Sequence, residues 1–157
     1  MGSSTGPRPR GEECVSRITK EEVAELTQRE LPWAIWMGVA VEEIGNGHCR
    51  VHMPHKEENL RPGGTVSGPA MMGLADYSLY VAVLSSIGRV ELAVTSQLSI
   101  NFLRKPRPGD IIADCRMIKV GRRLAYGEVF LYSEGREADG PVAHVTGTYA
   151  IPEDRGV

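Results

Sequence analysis

The longest apolar run in the chain covers residues 63–88 and contains one charged residue, Asp76. Thr65 or Ser67 can cap a helix at its start, and Gly88 is typical of a helix end. A run that is apolar on nearly every helical face predicts a helix enclosed by other elements. The run is also long enough to cross a membrane, but its aspartate, serines and glycines favour a buried helix of a globular protein.

Beyond this run, apolar and polar residues alternate with a period of two, which predicts antiparallel strands separated by turns rich in Gly, Pro and Arg. The four expected strands cover about 90–103, 111–120, 124–134 and 141–152. In the first of them the alternation puts Leu92, Val94 and Leu98 on one face. Thr95 falls on the opposite, polar face.

The segment before the apolar run predicts a short helix and a hairpin. Thr19 and Glu22 have the spacing of a capping box, and Pro32 ends the helix that follows. Two short strands, at about 38–44 and 48–54, flank a Gly-Asn-Gly turn.

Together these elements predict an α+β domain in which an antiparallel sheet of about six strands curls around one long apolar helix. We expect this domain over residues 19–152. A flexible segment, 1–18, would precede it, and a short tail, 153–157, would follow.

Composition is that of an ordinary globular domain. The 157 residues are 41% hydrophobic and 24% charged, and the net charge of −2 gives no overall attraction to nucleic acid or to an anionic membrane. Three cysteines without a CxxC pair, and no apolar signal segment, predict a reduced cytoplasmic setting. Four histidines without metal-ligand spacing, and no Gly-rich nucleotide loop, predict no metal and no redox cofactor.

Asp76 needs an explanation, because a lone carboxylate in an apolar segment is costly to desolvate unless it is paired or hydrogen-bonded. In a structural role it would bond a neighbouring helix end or a buried tyrosine such as Tyr77 or Tyr80. In a chemical role it would activate water as a general base or attack a carbonyl carbon as a nucleophile. The sequence leaves these roles open.

The stretch NLRPGGTVSGPAMMGLADYSLYVAV resembles the hotdog-fold acyl-CoA thioesterases of the PaaI-like group, and the likeness extends over about residues 35–151. Its specific part is Gly64-x-x-Ser67-Gly68-Pro69 followed by Leu74-Ala75-Asp76. Many members of the group have G-x-x-H-G-G, so Ser67 stands where the family usually has His, and Pro69 replaces the second Gly. The resemblance implies a hotdog fold, hydrolysis of an acyl-CoA thioester, and homodimers that usually pair into tetramers. CoA would be part of the substrate and not a cofactor.

The same resemblance suggests the site. Gly68 would bring a main-chain N–H and the helix dipole to a developing oxyanion, and Ser67 could add its hydroxyl. Asp76 matches the catalytic acid, Asn59 the upstream Asn, and Thr95 a Ser or Thr near the acid. Eight residues of helix separate Gly68 from Asp76 by about 12 Å, so both cannot reach one carbonyl group. One site therefore needs two chains, which predicts a homodimer, and the resemblance implies that such dimers pair as a dimer of dimers.

Basic residues flank two of the predicted connections: Arg104, Lys105, Arg107, Lys119, Arg122 and Arg123. Such charges are usually solvated on loops. On an enzyme that binds CoA they are candidates for its pyrophosphate and 3′-phosphate, since the guanidinium group of Arg suits bidentate contact with phosphate.

Two other functions remain open. A hotdog hydratase or dehydratase acting on acyl thioesters would share the fold, but it needs an acid/base pair that usually includes His, and no His lies near the long helix in the sequence. A non-catalytic acyl-CoA binding protein is the second alternative, because Ser67 replaces the family's His. The identity of the acyl group is not encoded in any motif we recognise.

Overall fold

A six-stranded antiparallel sheet packs against one long helix. The structure, a computed structural model, describes residues 15–153. Its helices are α1 (Lys20–Glu30), α2 (Pro32–Met37) and α3 (Gly68–Ile87). Its strands are β1 (Ala40–Gly45), β2 (His48–Met53), β3 (Val94–Phe102), β4 (Ile111–Val120), β5 (Leu124–Ser133) and β6 (Ala143–Ala150). The strand order is β1-β2-β4-β5-β6-β3, so β1 and β3 form the edges. The predicted α+β architecture is confirmed.

The long helix α3 begins and ends where its sequence predicts. The Ser67 side chain accepts the N–H of Ala70 at 3.3 Å, and Gly88 ends the helix with a φ of 90°. By length and composition alone α3 is like a membrane-spanning helix, but the core helix of a globular domain has the same properties. Of its most apolar 18-residue window, 67% is buried against the rest of the protein. The helix approaches the sheet closely at Gly147, where an added Cβ would lie 2.6 Å from Leu79.

The N-terminal helices include one that the sequence pattern missed. The predicted capping box at Thr19 and Glu22 is present, and α1 ends just before Pro32. Pro32 then occupies the first turn of α2, where its missing N–H costs no helical hydrogen bond. We expected no helix there, because six residues are too few to show helical periodicity. The side chain of Met37 at the end of α2 packs against Gly73 of α3.

The folded domain begins earlier than predicted. Ile18 is 1% exposed and belongs to the hydrophobic core. The N–H of Arg17 donates to the carbonyl oxygen of Ser85, near the end of α3, at 2.9 Å. The predicted flexible segment 1–18 is therefore wrong at its C-terminal end, because a buried isoleucine anchors it. Residues 1–14 and 154–157, on which the remaining predictions for the termini fall, lie outside the described residues.

A β-bulge in β3 changes which face of the strand Thr95 occupies. Thr95 pairs with Tyr149 of β6, but the next pair is Gln97 with Thr148, so Ser96 is the extra residue. One inserted residue reverses the alternation, because side chains alternate with a period of two. Thr95 therefore shares the inner face with Leu98, which corrects its predicted position on the polar face.

Candidate active site

Asp76 is held by two hydroxyl groups on neighbouring strands. Its Oδ1 accepts a hydrogen bond from the hydroxyl of Thr95 at 2.7 Å and from that of Tyr149 at 2.6 Å. The Tyr149 hydroxyl also lies 3.0 Å from the main-chain oxygen of Asp76. Thr95 and Tyr149 are paired across β3 and β6, and the bulge at Ser96 turns Thr95 to the face on which Tyr149 already points toward α3.

The hydrogen bonds to Asp76 engage one oxygen of its carboxylate and leave the other without a donor. Tyr149 is 3% exposed, and burial together with the neighbouring Asp76 carboxylate raises the pKa of its phenol far above the usual value. Tyr149 thus stays protonated and donates. Within residues 15–153, Oδ2 of Asp76 receives no hydrogen bond, so it is free to accept a proton from water.

The tyrosines that the sequence suggested as partners of Asp76 bond elsewhere. The hydroxyl of Tyr77 lies 2.8 Å from that of Thr27, and the hydroxyl of Tyr80 donates to the main-chain oxygen of Glu91. Burial raises the pKa of Tyr80 to about 12. Helical geometry turns both hydroxyls away from Asp76, and their rings instead help to line its cleft.

This Asp76 cleft has a volume of about 280 Å³ and a partly apolar wall. Leu31 and Trp33, at the junction of α1 and α2, form one side of it. The Trp33 ring meets Tyr77 edge-on at 6.2 Å between centroids. Such a wall lowers the local polarity around the carboxylate and suits an apolar group of a substrate.

At the N-terminus of α3, Gly68 offers a main-chain donor. Ala70 donates its N–H to the Ser67 side chain, Met71 donates to the main-chain oxygen of Ser67, and Pro69 has no N–H. No acceptor among residues 15–153 takes the N–H of Gly68. A side chain at this position would also meet the ring of Phe102, at 3.2 Å from an added Cβ. Glycine therefore keeps the helix N-terminus open to an incoming oxygen atom.

Asn59 lies beside this helix start. Its main-chain oxygen accepts the N–H of Ser67 at 2.8 Å, and the residue is 4% exposed. Its side-chain Nδ2 is buried and has no hydrogen-bond partner among the described residues. An unpaired buried amide donor is costly, and such groups commonly await a ligand or a partner chain. The structure thus brings Asn59, Ser67 and Gly68 together at the start of α3.

The predicted basic residues divide into two groups at opposite ends of the sheet. Arg104 and Lys105 line a cavity of about 500 Å³ that also contains Gly68, which we call the Gly68 cavity. Arg61 lines it too and was missed by the sequence prediction. By contrast, Lys119, Arg122 and Arg123 lie at the far end of β4 and in the turn to β5. Ten residues of β4 span about 33 Å, so within one chain the two groups do not meet. Arg123 also forms an ion pair with Glu153.

The two halves of the predicted chemistry are likewise apart within one chain. Asp76 lies at the start of β3, next to Thr95, whereas Gly68 lies at its end, next to Phe102. The Gly68 cavity does not include Asp76, and the cavity beside Asp76 does not include Gly68.

Outside the Asp76 cleft and the Gly68 cavity, three titratable side chains that are far apart in the sequence form a cluster. His52 Nε2 is 2.7 Å from Asp110 Oδ2 and 3.7 Å from Glu134 Oε2. The three groups are close enough to bind a metal ion. Their distances are also those of ordinary hydrogen-bonded ion pairs, and the prediction of no metal stays a prediction.

Residues 63–138 match the family model of the thioesterase superfamily. A "Putative esterase" of Sulfurisphaera tokodaii is 30% identical over 112 residues, which are 71% of this chain and 83% of that protein. Another, from Saccharolobus solfataricus, is 29% identical over 73% of this chain and 75% of its own length.

Solved structures agree. A "putative thioesterase" from Silicibacter is 39% identical, with a TM-score of 0.79 over 90% of this chain and 96% of that chain. The phenylacetic acid degradation protein PaaI of Thermus thermophilus is 25% identical, with a TM-score of 0.67 over 77% of this chain and 99% of that chain. The chain belongs to the thioesterase superfamily, and the predicted PaaI-like hotdog fold is confirmed. It is a hydrolase of the thioesterase or esterase class.

Proposed function

We propose that this protein is an acyl-CoA thioesterase in which Asp76 activates the attacking water. The observation that carries this proposal is the pair of hydroxyls on Oδ1 of Asp76, at 2.7 Å from Thr95 and 2.6 Å from Tyr149. These bonds fix the orientation of the carboxylate, which leaves Oδ2 as the proton acceptor.

The remaining donors act on the substrate carbonyl. As water attacks the thioester carbon, Oδ2 of Asp76 takes its proton and negative charge develops on the carbonyl oxygen. The N–H of Gly68 and the Nδ2 of Asn59 would stabilise this charge, with the Ser67 hydroxyl beside them. The C–S bond then breaks, and the thiolate takes the proton back from Asp76, giving a carboxylic acid and free CoA. Direct attack by Oδ2 on the carbon is the alternative first step, and it would break the C–S bond, release the thiolate and give an enzyme-bound anhydride. Water would then hydrolyse the anhydride, restoring Asp76 and supplying the proton of free CoA.

A homodimer would assemble these two halves into one site. One side of β3 pairs with β6, and the other is an unpaired sheet edge within the described residues. Val94 is 60% exposed and Phe102 54%, at opposite ends of this nine-residue strand. If two copies pair β3 with β3 about a two-fold axis, the start of one strand lies against the end of the other. Asp76 then faces the partner subunit's Gly68, which removes the separation seen within one chain.

The cations in the Gly68 cavity support CoA as the thiol carrier. Arg61, Arg104 and Lys105 line it beside the proposed oxyanion donor. In the β3-paired dimer, Arg122 and Arg123 of the partner would approach the same end. Guanidinium and ammonium groups at this place suit the phosphates of CoA.

A hotdog hydratase is less well supported. Among the described residues, no histidine lines the Asp76 cleft or the Gly68 cavity. Such an enzyme would lack the imidazole that usually completes its acid/base pair.

The test is turnover of a panel of acyl-CoAs by the wild-type protein and by Asp76→Asn, followed through release of free thiol. We expect Asp76→Asn to fold, to keep the wild-type mass in solution, and to lose at least about a hundredfold in rate. Asp114→Asn, which changes a carboxylate on β4 outside both cavities, is the matched control. Full activity of Asp76→Asn, or an active monomer, would refute the mechanism. Consumption of an enoyl thioester without thiol release would indicate a hydratase, and binding without turnover a non-catalytic binding protein.

A further inference from the structure

A second cavity, next to the Gly68 cavity, is rich in positive charge. It lies between the β3–β4 connection and the β5–β6 connection and has a volume of about 430 Å³. Arg104, Lys105, Arg107 and Arg136 line it, and we call these four residues the basic cradle. Arg136 lies outside the basic clusters that the sequence singled out.

The charges of the cradle are largely uncompensated. Within residues 15–153, no carboxylate forms an ion pair with Arg104, Lys105 or Arg107. Asp139 also lines the cavity, and its Oδ2 is 4.0 Å from Nε of Arg136, the outer limit for such a pair. Four cations and one anion leave an excess of three positive charges in a chain whose net charge is −2. Solvated loop charges do not usually converge on one concavity, and this excess favours a bound anion.

The two connections that carry the cradle are tied together by hydrogen bonds. The main-chain oxygen of Val142 accepts the N–H groups of Leu103 and Arg104, at 2.8 and 3.2 Å. Ser133 Oγ accepts the N–H of Arg107 at 3.0 Å. These bonds hold the main chain of the cradle in place before any ligand arrives, so less entropy is lost on binding.

Gly140 lets Arg104 lie across the cradle. Its φ of 92° favours glycine, and an added Cβ would be 3.2 Å from Nη2 of Arg104. A side chain here would both strain the main chain and push the guanidinium group aside.

The cradle and the Gly68 cavity share Arg104 and Lys105, so they form one continuous surface on one chain. Asp76 lies at the other end of β3 and touches neither cavity. A ligand that extends from Gly68 into the cradle would therefore contact one subunit along its charged part.

We propose that the basic cradle binds phosphate groups of the CoA nucleotide, and that it serves the site containing Gly68 of its own subunit and Asp76 of the partner. This inference rests on the proposed function. Each active site would then take its oxyanion donor and its carrier recognition from one chain, and only the general base from the other.

Direct binding tests the cradle without any turnover. Titration calorimetry of the full chain with adenosine 3′,5′-bisphosphate should show binding that Arg107→Gln or Arg136→Gln weakens by about tenfold or more, as expected for loss of a charge-assisted contact. AMP, with one phosphate fewer, should bind more weakly to the wild type. Arg116→Gln, which removes an exposed arginine elsewhere on the sheet, is the matched control. Equal affinity in all four proteins would overturn the proposal.

Hybrid dimers test which subunit the cradle serves. When Asp76→Asn chains are mixed with Arg136→Gln chains, each hybrid keeps one site with an intact cradle and an intact base, so activity with the wild-type KM should appear. When chains carrying both changes are mixed with Asp76→Asn chains, every site lacks a base and activity should be absent. When the chains carrying both changes are mixed instead with an excess of Arg136→Gln chains, no site has both an intact cradle and an intact base. Only activity with a raised KM should then be seen.

A raised KM in the first mixture, with none of the wild-type value, would show that the cradle serves the site of its own Asp76 and would overturn the assignment. Failure of the proposed function looks different. In that case no acyl-CoA or acyl-pantetheine would be hydrolysed by the wild type, while nucleotide binding would still report on the cradle. If acyl-pantetheine, which lacks the nucleotide, is hydrolysed and Arg136→Gln raises its KM as much as that of acyl-CoA, the phosphate assignment is wrong.

Discussion

The phenolic oxygen of Tyr149 lies 2.6 Å from Oδ1 of Asp76, although the two residues are 73 positions apart in the chain. The bond joins the middle of α3 to the end of β6, and burial keeps the phenol protonated by raising its pKa. It fixes one oxygen of the carboxylate, and Tyr149 acts through that oxygen. Tyr149 is therefore a positioning residue in the proposed mechanism.

Tyr149→Phe should lower kcat by roughly tenfold, the order expected for loss of one hydrogen bond to a charged group. Because that bond orients a carboxylate that acts on the bound substrate, KM should change little. Thr95→Val should lower kcat in the same way, and the exposed Tyr126→Phe should not. An unchanged kcat in a folded Tyr149→Phe protein would leave the residue a structural role only.

Gly68→Pro should remove the proposed oxyanion donor without breaking the helix. Proline suits the first helical turn, and Ser67, with φ −74° and ψ 154°, already has the conformation that a following proline requires. We expect kcat to fall about 10²- to 10³-fold.

Gly68→Ala is the control for this change, because it introduces the same contact with Phe102 but keeps the N–H. The two variants should differ by at least about tenfold in kcat, measured by thiol release with folding checked by circular dichroism. If they are equally active, the Gly68 N–H has no part in the chemistry.

Ser67→Ala should separate capping from catalysis. Loss of the bond to the Ala70 N–H should cost about 1 kcal/mol of unfolding free energy. Because loss of a cap need not affect the chemistry, a fall in turnover of the folded variant would report on the hydroxyl itself. Ser67→His restores the family's usual residue. We expect turnover to fall, because Pro69 restricts the turn and the imidazole would replace a cap that the helix uses. Denaturant unfolding and kcat should be measured on the same samples, and a faster folded Ser67→His enzyme would contradict this expectation.

Asp110 should contribute stability that depends on pH. The His55 N–H, at 2.8 Å from Oδ1, and the His52 ring, at 2.7 Å from Oδ2, hold its pKa below the usual value. A carboxylate whose pKa is lower in the native state than in the unfolded state stabilises the fold at pH values above the unfolded pKa. This stabilisation is lost as the pH falls through the native pKa, here below about 4. Asp110→Asn should thus be less stable than wild type at neutral pH, and the difference should shrink in acid. The measurement is the unfolding midpoint of wild type, of Asp110→Asn and of the exposed control Glu43→Gln across pH. A difference between wild type and Asp110→Asn that stays constant with pH would contradict the prediction.

Local patterns in the sequence were enough to predict most of the elements. The uniform apolarity of residues 68–87 predicts an enclosed helix, because such a surface cannot face water on any side. Ser67 and Gly88 mark its ends, since they satisfy terminal main-chain groups that the helix leaves unpaired. Period-two alternation located β3 to β6 for the same local reason. The short helix α2 escaped notice because six residues hold too little periodic signal.

The site was predicted only in part. Ser67 and Gly68 are neighbours in one motif, so their proximity is local, and Asn59 joins them across a short loop. Asp76 belongs to the same motif, but eight residues of helix hold it apart from Gly68. Tyr149 was not predicted, although the alternation in β6 puts it on the apolar face. Its contact with Asp76 depends on the register between strands far apart in the chain, which no local pattern encodes.

The tertiary structure decided the orientation of Thr95 and the grouping of the cations. Ser96 could be an ordinary strand residue, and only its pairing opposite β6 makes it a bulge that turns Thr95 inward. In the same way, Arg104 and Arg136 are 32 positions apart and share a cavity, because two connections meet at one end of the sheet. Sequence by itself determined the elements, their ends and the carboxylate in the helix, since these follow from local solvation and main-chain geometry. Folding decided which side chains meet, because contacts between distant residues are set by strand register and packing.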